Sequence, residues 1–392
     1  MLIGIDGNEA NIKNRVGIGQ FAFNVIKTLE KIDQGNSYFI YLKAPPLPDL
    51  PREREGWRYR IFGPGKLWTQ IALPVKLFTQ GEKLDVFYSP SHYSPRFSPF
   101  PTVISIMDLG HHHNPEQFAK KDLYQLTKWE GYSVKNASRI VTISEFSKSE
   151  IEKIYHYPAG KITVAHPGYD DNFKFKILNF NSNLNDKILK IKDKYGIKGK
   201  YFLYLGTLKP NKNIEGMIEA FNLVVRDLGL GDSHKKETSH QHLSPITLVV
   251  AGKKGWLYEK IFERVKESGL EDRVVFTGFI SDEEKPLLIA GAEAFLLPSF
   301  YEGFGIPILE AMSLEVPVIT SNVASMPEVG GKAAIYCNPH KVKDIAKAMK
   351  KILGLKKNER DEIIAKGREQ VEKFSWEKCS QKILKTLENV KK

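Results

Sequence analysis

Two carboxylates eight residues apart bracket a Gly-x-Gly turn in Glu302-Gly-Phe-Gly-Ile-Pro-Ile-Leu-Glu310. The turn follows a strand-like apolar run at 294–300 and opens a helix read at 306–314. Pro307 suits the first turn of that helix, where its missing N–H has no intrahelical use. A helix start preceded by glycines presents backbone N–H groups and the positive end of the helix dipole, a seat for phosphate. One glutamate lies ahead of that seat and the other inside the helix, on the order of 10 Å apart at ~1.5 Å per helical residue plus a bent loop. Carboxylates accept hydrogen bonds from hydroxyls. The spacing therefore fits an activated sugar laid across the helix start, with sugar hydroxyls, diphosphate and ribose in that order. An isolated pair of glutamates would be solvated surface; the strand, glycine loop and helix around this pair argue for a site.

Other constellations fall at similar positions. Gly206-Thr-Leu-Lys-Pro-Asn-Lys-Asn213 also follows a strand and opens a helix, and sets Lys209 and Lys212 beside the helix start as a second anion site. Gly17-Ile-Gly-Gln-Phe-Ala22 matches the G-x-G-x-x-A dinucleotide pattern, which raises an NAD-dependent oxidoreductase as an alternative. In that motif the glycines follow the strand at once, whereas residues 7–16 intervene here. A glycine loop approaching a diphosphate explains Gly17 and Gly19 equally well. Asp108 ends an apolar strand at 102–107, and strand C-terminal ends are where α/β sheets bind ligands. His111, His112 and His113 follow directly. Consecutive histidines cannot easily all face one ion, so the run reads as a turn with exposed imidazoles. Residue types alone do not select which of the three lines a site.

The elements that must hold these residues alternate. Strands are expected at 2–5, 38–42, 86–88, 102–106, 139–143 and 162–165, and again at 201–205, 246–251, 273–277, 294–297, 318–320 and 334–336. Helices are expected between them, at 19–31, 117–136, 145–155, 213–228, 257–268, 282–291 and 342–353. The alternation predicts doubly wound parallel α/β sheets, and its occurring twice predicts two such domains facing a cleft. We place the first at 1–180 and the second at 181–373, with a final helix at 374–392, capped by Ser375, whose apolar spacing requires it to pack somewhere. A polar seam is expected at 175–200. A second polar insertion, at 229–244, carries His234, His240 and His242; lacking regular ligand spacing, it reads as a surface loop.

At 392 residues the chain exceeds one ordinary core. Its 42% hydrophobic and 27% charged residues suit a globular protein, and no run approaches the ~18 apolar residues of a membrane span. The opening Met-Leu-Ile-Gly-Ile-Asp6 reads as a strand and not as a leader. Two cysteines, Cys337 and Cys379, make no disulfide framework, so a cytoplasmic setting is expected. A net charge of +12 implies an anionic partner. Nucleic acid is set aside for want of any recognition motif. Residues 65–83 mix lysines with aromatic and aliphatic side chains, as a helix on an anionic membrane surface would; we read them instead as a core-facing amphipathic helix with lysines at its margins.

Taken together, Pro298-Ser-Phe-Tyr-Glu-Gly-Phe-Gly-Ile-Pro-Ile-Leu-Glu-Ala-Met312 resembles the signature of the retaining glycosyltransferases of family 4, which have the GT-B fold. Gly206 to Asn213, Val141-Thr-Ile-Ser-Glu-Phe-Ser147, Pro317-Val-Ile-Thr-Ser-Asn322 and Met326-Pro-Glu-Val329 extend the resemblance over essentially the whole chain. It implies a second domain that binds a nucleotide-diphosphate sugar, such as GDP-mannose or a UDP-hexose, and a first domain that binds a glycan or lipid-linked acceptor and onto which the final helix at 374–392 packs back. By position, Glu302 contacts the donor sugar and Glu310 the ribose. Lys212 neutralises the diphosphate with amides around Gly303, Phe304, Gly305 and Ile306, and Gly17 and Gly19 close on the phosphates. The chain departs from the family at Thr207, where members often have arginine and where Lys209 is the neighbouring cation. It departs again at Met107, where many have histidine, leaving Asp108 and His113 on the acceptor side. The resemblance implies retention of configuration without an enzymic nucleophile, no metal and no cofactor. The two departures keep a non-catalytic sugar-nucleotide binder as the other alternative.

Overall fold

The computed structural model describes residues 1–118, 120–170, 183–229 and 245–391. The histidines of the 229–244 insertion (His234, His240, His242) lie outside the described residues. The chain divides into two compact units, Met1–Gly168 with Phe374–Lys392, and Tyr169–Lys373. The first division thus falls after Gly168 and not after residue 180. Part of the expected polar seam is a helix, Leu184–Tyr195, whose Ile191 is buried.

The first unit is built on a seven-stranded parallel sheet: β1 (Leu2–Asp6), β2 (Ser37–Leu42), β3 (Trp57–Ile61), β4 (Val86–Ser89), β5 (Thr102–Ile106), β6 (Arg139–Thr142) and β7 (Ile162–Val164). Their order is β3-β2-β1-β4-β5-β6-β7. Strands covered on both faces must be apolar on both, and β1, β4 and β5 are buried almost throughout. Strand β3 was not anticipated. It is an edge strand of sequence Trp-Arg-Tyr-Arg-Ile, whose two arginines hide the apolar run. The final helix, Trp376–Glu388, is capped by Ser375, whose hydroxyl accepts from the Lys378 amide at 3.1 Å. It lies on the first unit. Trp376 meets Phe21 edge-on with ring centres 6.0 Å apart, and Lys382 donates to the Val164 carbonyl at 3.0 Å. Cys379 is buried there and its thiol faces the Ala165 carbonyl; Cys337 is buried at the end of a strand in the second unit.

The second unit holds a six-stranded parallel sheet: β8 (Lys200–Leu205), β9 (Ile246–Ala251), β10 (Val274–Gly278), β11 (Ala294–Leu297), β12 (Val318–Ser321) and β13 (Ala334–Cys337). The order β10-β9-β8-β11-β12-β13 repeats the first six positions of the other sheet. In both sheets the order reverses beside the first strand, the place where doubly wound folds open a ligand crevice at strand C-terminal ends. Helix Lys357–Val371 went unread because its sequence is polar and its apolar spacing weak.

The segment at 65–83 does two things at once. A π-turn, Trp68–Ala72, runs into helix Leu73–Thr79, and Trp68, Ala72, Leu73 and Leu77 pack into a core cluster with Phe39, Tyr41, Leu84 and Phe87. The opposite face, however, is apolar and exposed.

Candidate functional site

The connections leaving β8 and β11 are stitched together, and that stitching builds the site. Asn213 ends the β8 connection in the left-handed region (φ 55°) and is buried; its amide donates to the carbonyls of Pro298 (3.1 Å) and Pro339 (2.8 Å). The Phe300 amide donates in turn to the Asn211 carbonyl at 2.9 Å. Close approach of the neighbouring β9 exit needs glycine: a Cβ on Gly252 (φ 141°) would lie 1.9 Å from the Gly206 carbonyl oxygen. With both loops fixed, Lys212 Nζ donates to Glu302 Oε1 at 2.6 Å and Oε2 at 2.7 Å, and Ser299 Oγ donates to Oε1 at 2.8 Å. Ser325 Oγ reaches the carbonyls of Glu302 (2.9 Å) and Phe304 (3.1 Å), which holds the glycine turn from below. Gly305 takes φ 103° as the residue that starts helix Ile306–Ser313, with Ile306 at its first position and Pro307 in its first turn.

Glu310 is buried, not exposed as an isolated helix glutamate would be. Lys285, at the start of helix Lys285–Ala290, donates to its Oε1 at 2.6 Å. Its other oxygen, Oε2, is buried without a hydrogen-bond partner. An unsatisfied carboxylate oxygen in such a place is costly, and a hydroxyl donor is the group it can accept. Lys209 lies 3.8 Å from the Trp256 ring centre, so it is already engaged with an aromatic face. Thr207 contributes its carbonyl, which accepts from the Tyr204 hydroxyl at 3.1 Å.

The structure thus joins Lys212 directly to Glu302, has Asn213 of the motif at the start of helix Ile214–Asp227, and adds Ser299, Ser325 and Lys285, which sequence reading missed. Ser299 was readable as a hydroxyl three residues before Glu302. Lys285 was not, because the helix it starts is distant in sequence from Glu310.

In the first unit, Gly17 (φ 50°) starts helix Ile18–Ile32, and a Cβ on Gly19 would come within 3.0 Å of the Glu9 carbonyl oxygen. Residues 7–17 separate β1 from that helix, too long a connection for the tight dinucleotide turn. Asp6, at the end of β1, accepts from Trp68 Nε1 (3.0 Å) and Asn8 Nδ2 (2.7 Å). Burial raises its carboxyl to about 6 against the opposing pull of these bonds. Asp108 accepts from the Gly110 amide at 3.0 Å, tying it to the short helix Gly110–His113.

The three histidines of that helix are not a turn of exposed imidazoles. His111 is buried, His112 is half-buried, and only His113 is exposed, with its Nε2 on the Glu150 carboxylate. The reason is an enclosed carboxylate, Glu130, on helix Lys120–Asn136. Glu130 pairs with His92 Nδ1 and accepts from the Tyr155 hydroxyl at 2.6 Å; Tyr155 also meets His112 Nε2 at 3.0 Å. Burial alone would lower the His92 imidazole, but the bond and charge of Glu130 outweigh it and hold it above its ordinary value. Burial keeps His111 and His112 below theirs. Ligand atoms of His111, His112 and Glu130 lie within 4.8 Å of one another, so two consecutive histidines do converge on one carboxylate.

Comparisons with known proteins agree in direction. Residues 187–370 match the family described as glycosyl transferases group 1, and residues 16–173 match glycosyltransferase family 4. The O-antigen chain mannosyltransferase B of Escherichia coli is 32% identical over 297 residues, 75% of this chain and 72% of that protein. The serotype-specific mannosyltransferase WbdA of Escherichia coli is 33% identical over 241 residues, 61% of this chain but 27% of that longer protein. Among solved structures, Anabaena Alr3699/HepE in complex with UDP and glucose aligns over 99% of both chains with TM-score 0.71 and 18% identity. WaaG, a glycosyltransferase involved in lipopolysaccharide biosynthesis, aligns over 99% of this chain and 100% of its own with TM-score 0.69 and 14% identity. At these identities the solved structures speak for the fold.

Proposed function

The chain belongs to the family 4 glycosyltransferases of the GT-B fold, and from that premise we propose that it moves a hexose from a nucleotide-diphosphate sugar, GDP-mannose first among the candidates, to a growing lipid-linked glycan. The observation that carries this reading is Lys212 held bidentately by Glu302, four residues ahead of helix Ile306–Ser313, which carries the buried, unpartnered oxygen of Glu310. A lysine and a helix start stabilise the charge that develops on a departing diphosphate. Glu302 and Glu310 accept hydroxyls of the sugar and ribose. No nucleophile–base pair stands among these groups, which supports retention by attack on the leaving-group side, with the diphosphate oxygen taking the acceptor proton. Neither metal nor cofactor is invoked in this scheme. Acceptor binding falls to the first unit, around Asp108 and His113, in an enzyme acting in the cytoplasm at the membrane surface. The mannosyltransferase names of the relatives favour mannose.

The test is a thermal-shift panel of GDP-, UDP- and ADP-sugars, with and without EDTA, followed by hydrolysis and transfer assays on the best donor. GDP-mannose should raise Tm most and be turned over equally in EDTA. Loss of turnover in EDTA sinks the metal-free scheme, and binding without hydrolysis or transfer makes the chain a sugar-nucleotide binder. If Glu302→Gln leaves both binding and turnover intact, the site assignment fails.

A further inference from the structure

Leu67, Ile71, Val75 and Phe78 are 51%, 51%, 56% and 61% exposed. Ile71, Val75 and Phe78, four and three residues apart, share one side of the Trp68–Thr79 helical segment, opposite Trp68, Ala72, Leu73 and Leu77, which are buried, and Leu67 immediately precedes the segment in the left-handed region (φ 52°). Phe97, 70% exposed, adds to them, since the Arg96 amide donates to the Thr69 carbonyl at 2.8 Å and brings its loop against the helix. Four or five large apolar side chains on one face are more than scattered surface exposure.

The charges around this face are mainly positive, and Glu82, just past the helix, is paired with Arg60 at 2.6 Å. Lys66 and Lys76 lie in the segment, and Lys43 packs beside Gly65. No acidic residue occurs from Gly65 to Gly81. A protein partner for an apolar stripe is under no need of such bias, whereas an anionic lipid surface selects for it. The face also sits on a fixed base: the Trp68 indole is hydrogen-bonded to Asp6 and stacked on Phe62 with ring centres 4.5 Å apart. Among the described residues no helix is long and apolar enough to cross a membrane, so lipid contact would be made from the surface.

We propose that the face formed by Leu67, Ile71, Val75 and Phe78, rimmed by Lys43, Lys66 and Lys76, docks on an anionic bilayer. The four side chains would enter the headgroup boundary while the lysines meet lipid phosphates. This inference deepens the lipid-linked acceptor reading above and rests on it for its purpose, yet its test needs no donor or acceptor.

The full chain is sedimented with phosphatidylcholine vesicles with and without 30 mol% phosphatidylglycerol (roughly the anionic fraction that makes polybasic attraction measurable). Binding to the anionic vesicles is expected. The Ile71→Gln/Phe78→Gln variant should lose at least about tenfold in partitioning, and Lys66→Gln/Lys76→Gln should lose several-fold and much of its salt dependence. Ile71, Phe78 and Lys66 are exposed and Lys76 is half-buried, and an unchanged Tm and an unchanged rate of donor hydrolysis would show the fold intact. Wild-type protein that ignores anionic vesicles overturns the proposal. So does a wild-type dimer that Ile71→Gln/Phe78→Gln dissociates, which would assign the face to a second copy. If vesicle binding holds but no sugar donor is used, the docking surface stands and the proposed reaction falls.

Discussion

In the first unit the inner carboxylates are enclosed by donors. Asp6 is shared by Trp68 and Asn8, and Glu130 by His92 and Tyr155. In the second unit, on a sheet of the same strand order, the carboxylates are held by lysines at loop and helix starts. Glu302 and Lys212 retain 13% and 19% side-chain exposure, and Glu310 keeps one oxygen unused. A buried carboxylate with donors on both oxygens specifies a fold, because both oxygens are committed to groups of the same core. A carboxylate with a spare oxygen or an accessible flank can still bind something. The same parallel frame thus supports a polar core on one side and a receptive surface on the other.

That contrast makes different substitutions fail in different ways. The largest effect is expected for Lys212→Ala, about 10³-fold in kcat/KM for sugar transfer, as for loss of a group that stabilises transition-state charge. Its stability cost should stay within about 1 kcal/mol, because the pair is partly solvated. A urea midpoint that collapses while turnover survives would reverse the contrast. Next, Glu130→Gln should cost about 3 kcal/mol of stability by breaking an enclosed pair. Four of the five tryptophans, Trp57, Trp68, Trp129 and Trp376, belong to the first unit, so tryptophan fluorescence in urea reads the loss. His92 is held above its ordinary value, so its stabilisation is complete below about pH 6.5 and fades as pH rises through the folded-state value. The cost of Glu130→Gln should therefore be greatest in acid, and a cost that grows with pH would refute the pair.

Asp6 titrates with the same sign, at lower pH. Its carboxyl is raised from 3.8 to about 6, so the folded chain binds the extra proton between those values and loses stability as pH climbs from about 4 to 6. Asp6→Asn should flatten that slope, worth on the order of 3 kcal/mol; an unchanged slope would put the titrating group elsewhere. The smallest change belongs to Glu310→Gln, about a tenfold rise in donor KM with kcat nearly constant, since the carboxylate binds ground and transition states alike. A fall in kcat without a change in KM would move Glu310 into the chemistry.

Much of this arrangement could be read from the chain. Buried parallel strands such as Ile246–Ala251 are apolar on both faces and announce themselves, as does helix Glu145–Tyr155 with its Ser144 cap. Gly206 follows its strand directly and five residues separate Leu297 from the glycine turn at 303–305, each ahead of a helix, so the residues proposed for the donor side were legible from local order. Strand Trp57–Ile61 was not, because a sheet edge tolerates arginines that a central strand would reject. The burial of His111 was missed for a different reason. Glu130, whose carboxylate lies 3.5 Å from its Nε2, is nineteen residues onward on another helix, and no local pattern reports a tertiary contact. Lys285 with Glu310 is hidden in the same way.

Both cysteines sit in closed surroundings, with burial pushing the Cys337 thiol up to about 12 and the Cys379 thiol higher still. Thiols so protonated and shielded react slowly with maleimides at neutral pH. The natural chain is in effect silent to thiol labelling while folded. One cysteine introduced on the exposed surface of each unit would then carry a spectroscopic probe without removing any native residue from the core. A donor that draws the units together would register as a change in one measured distance.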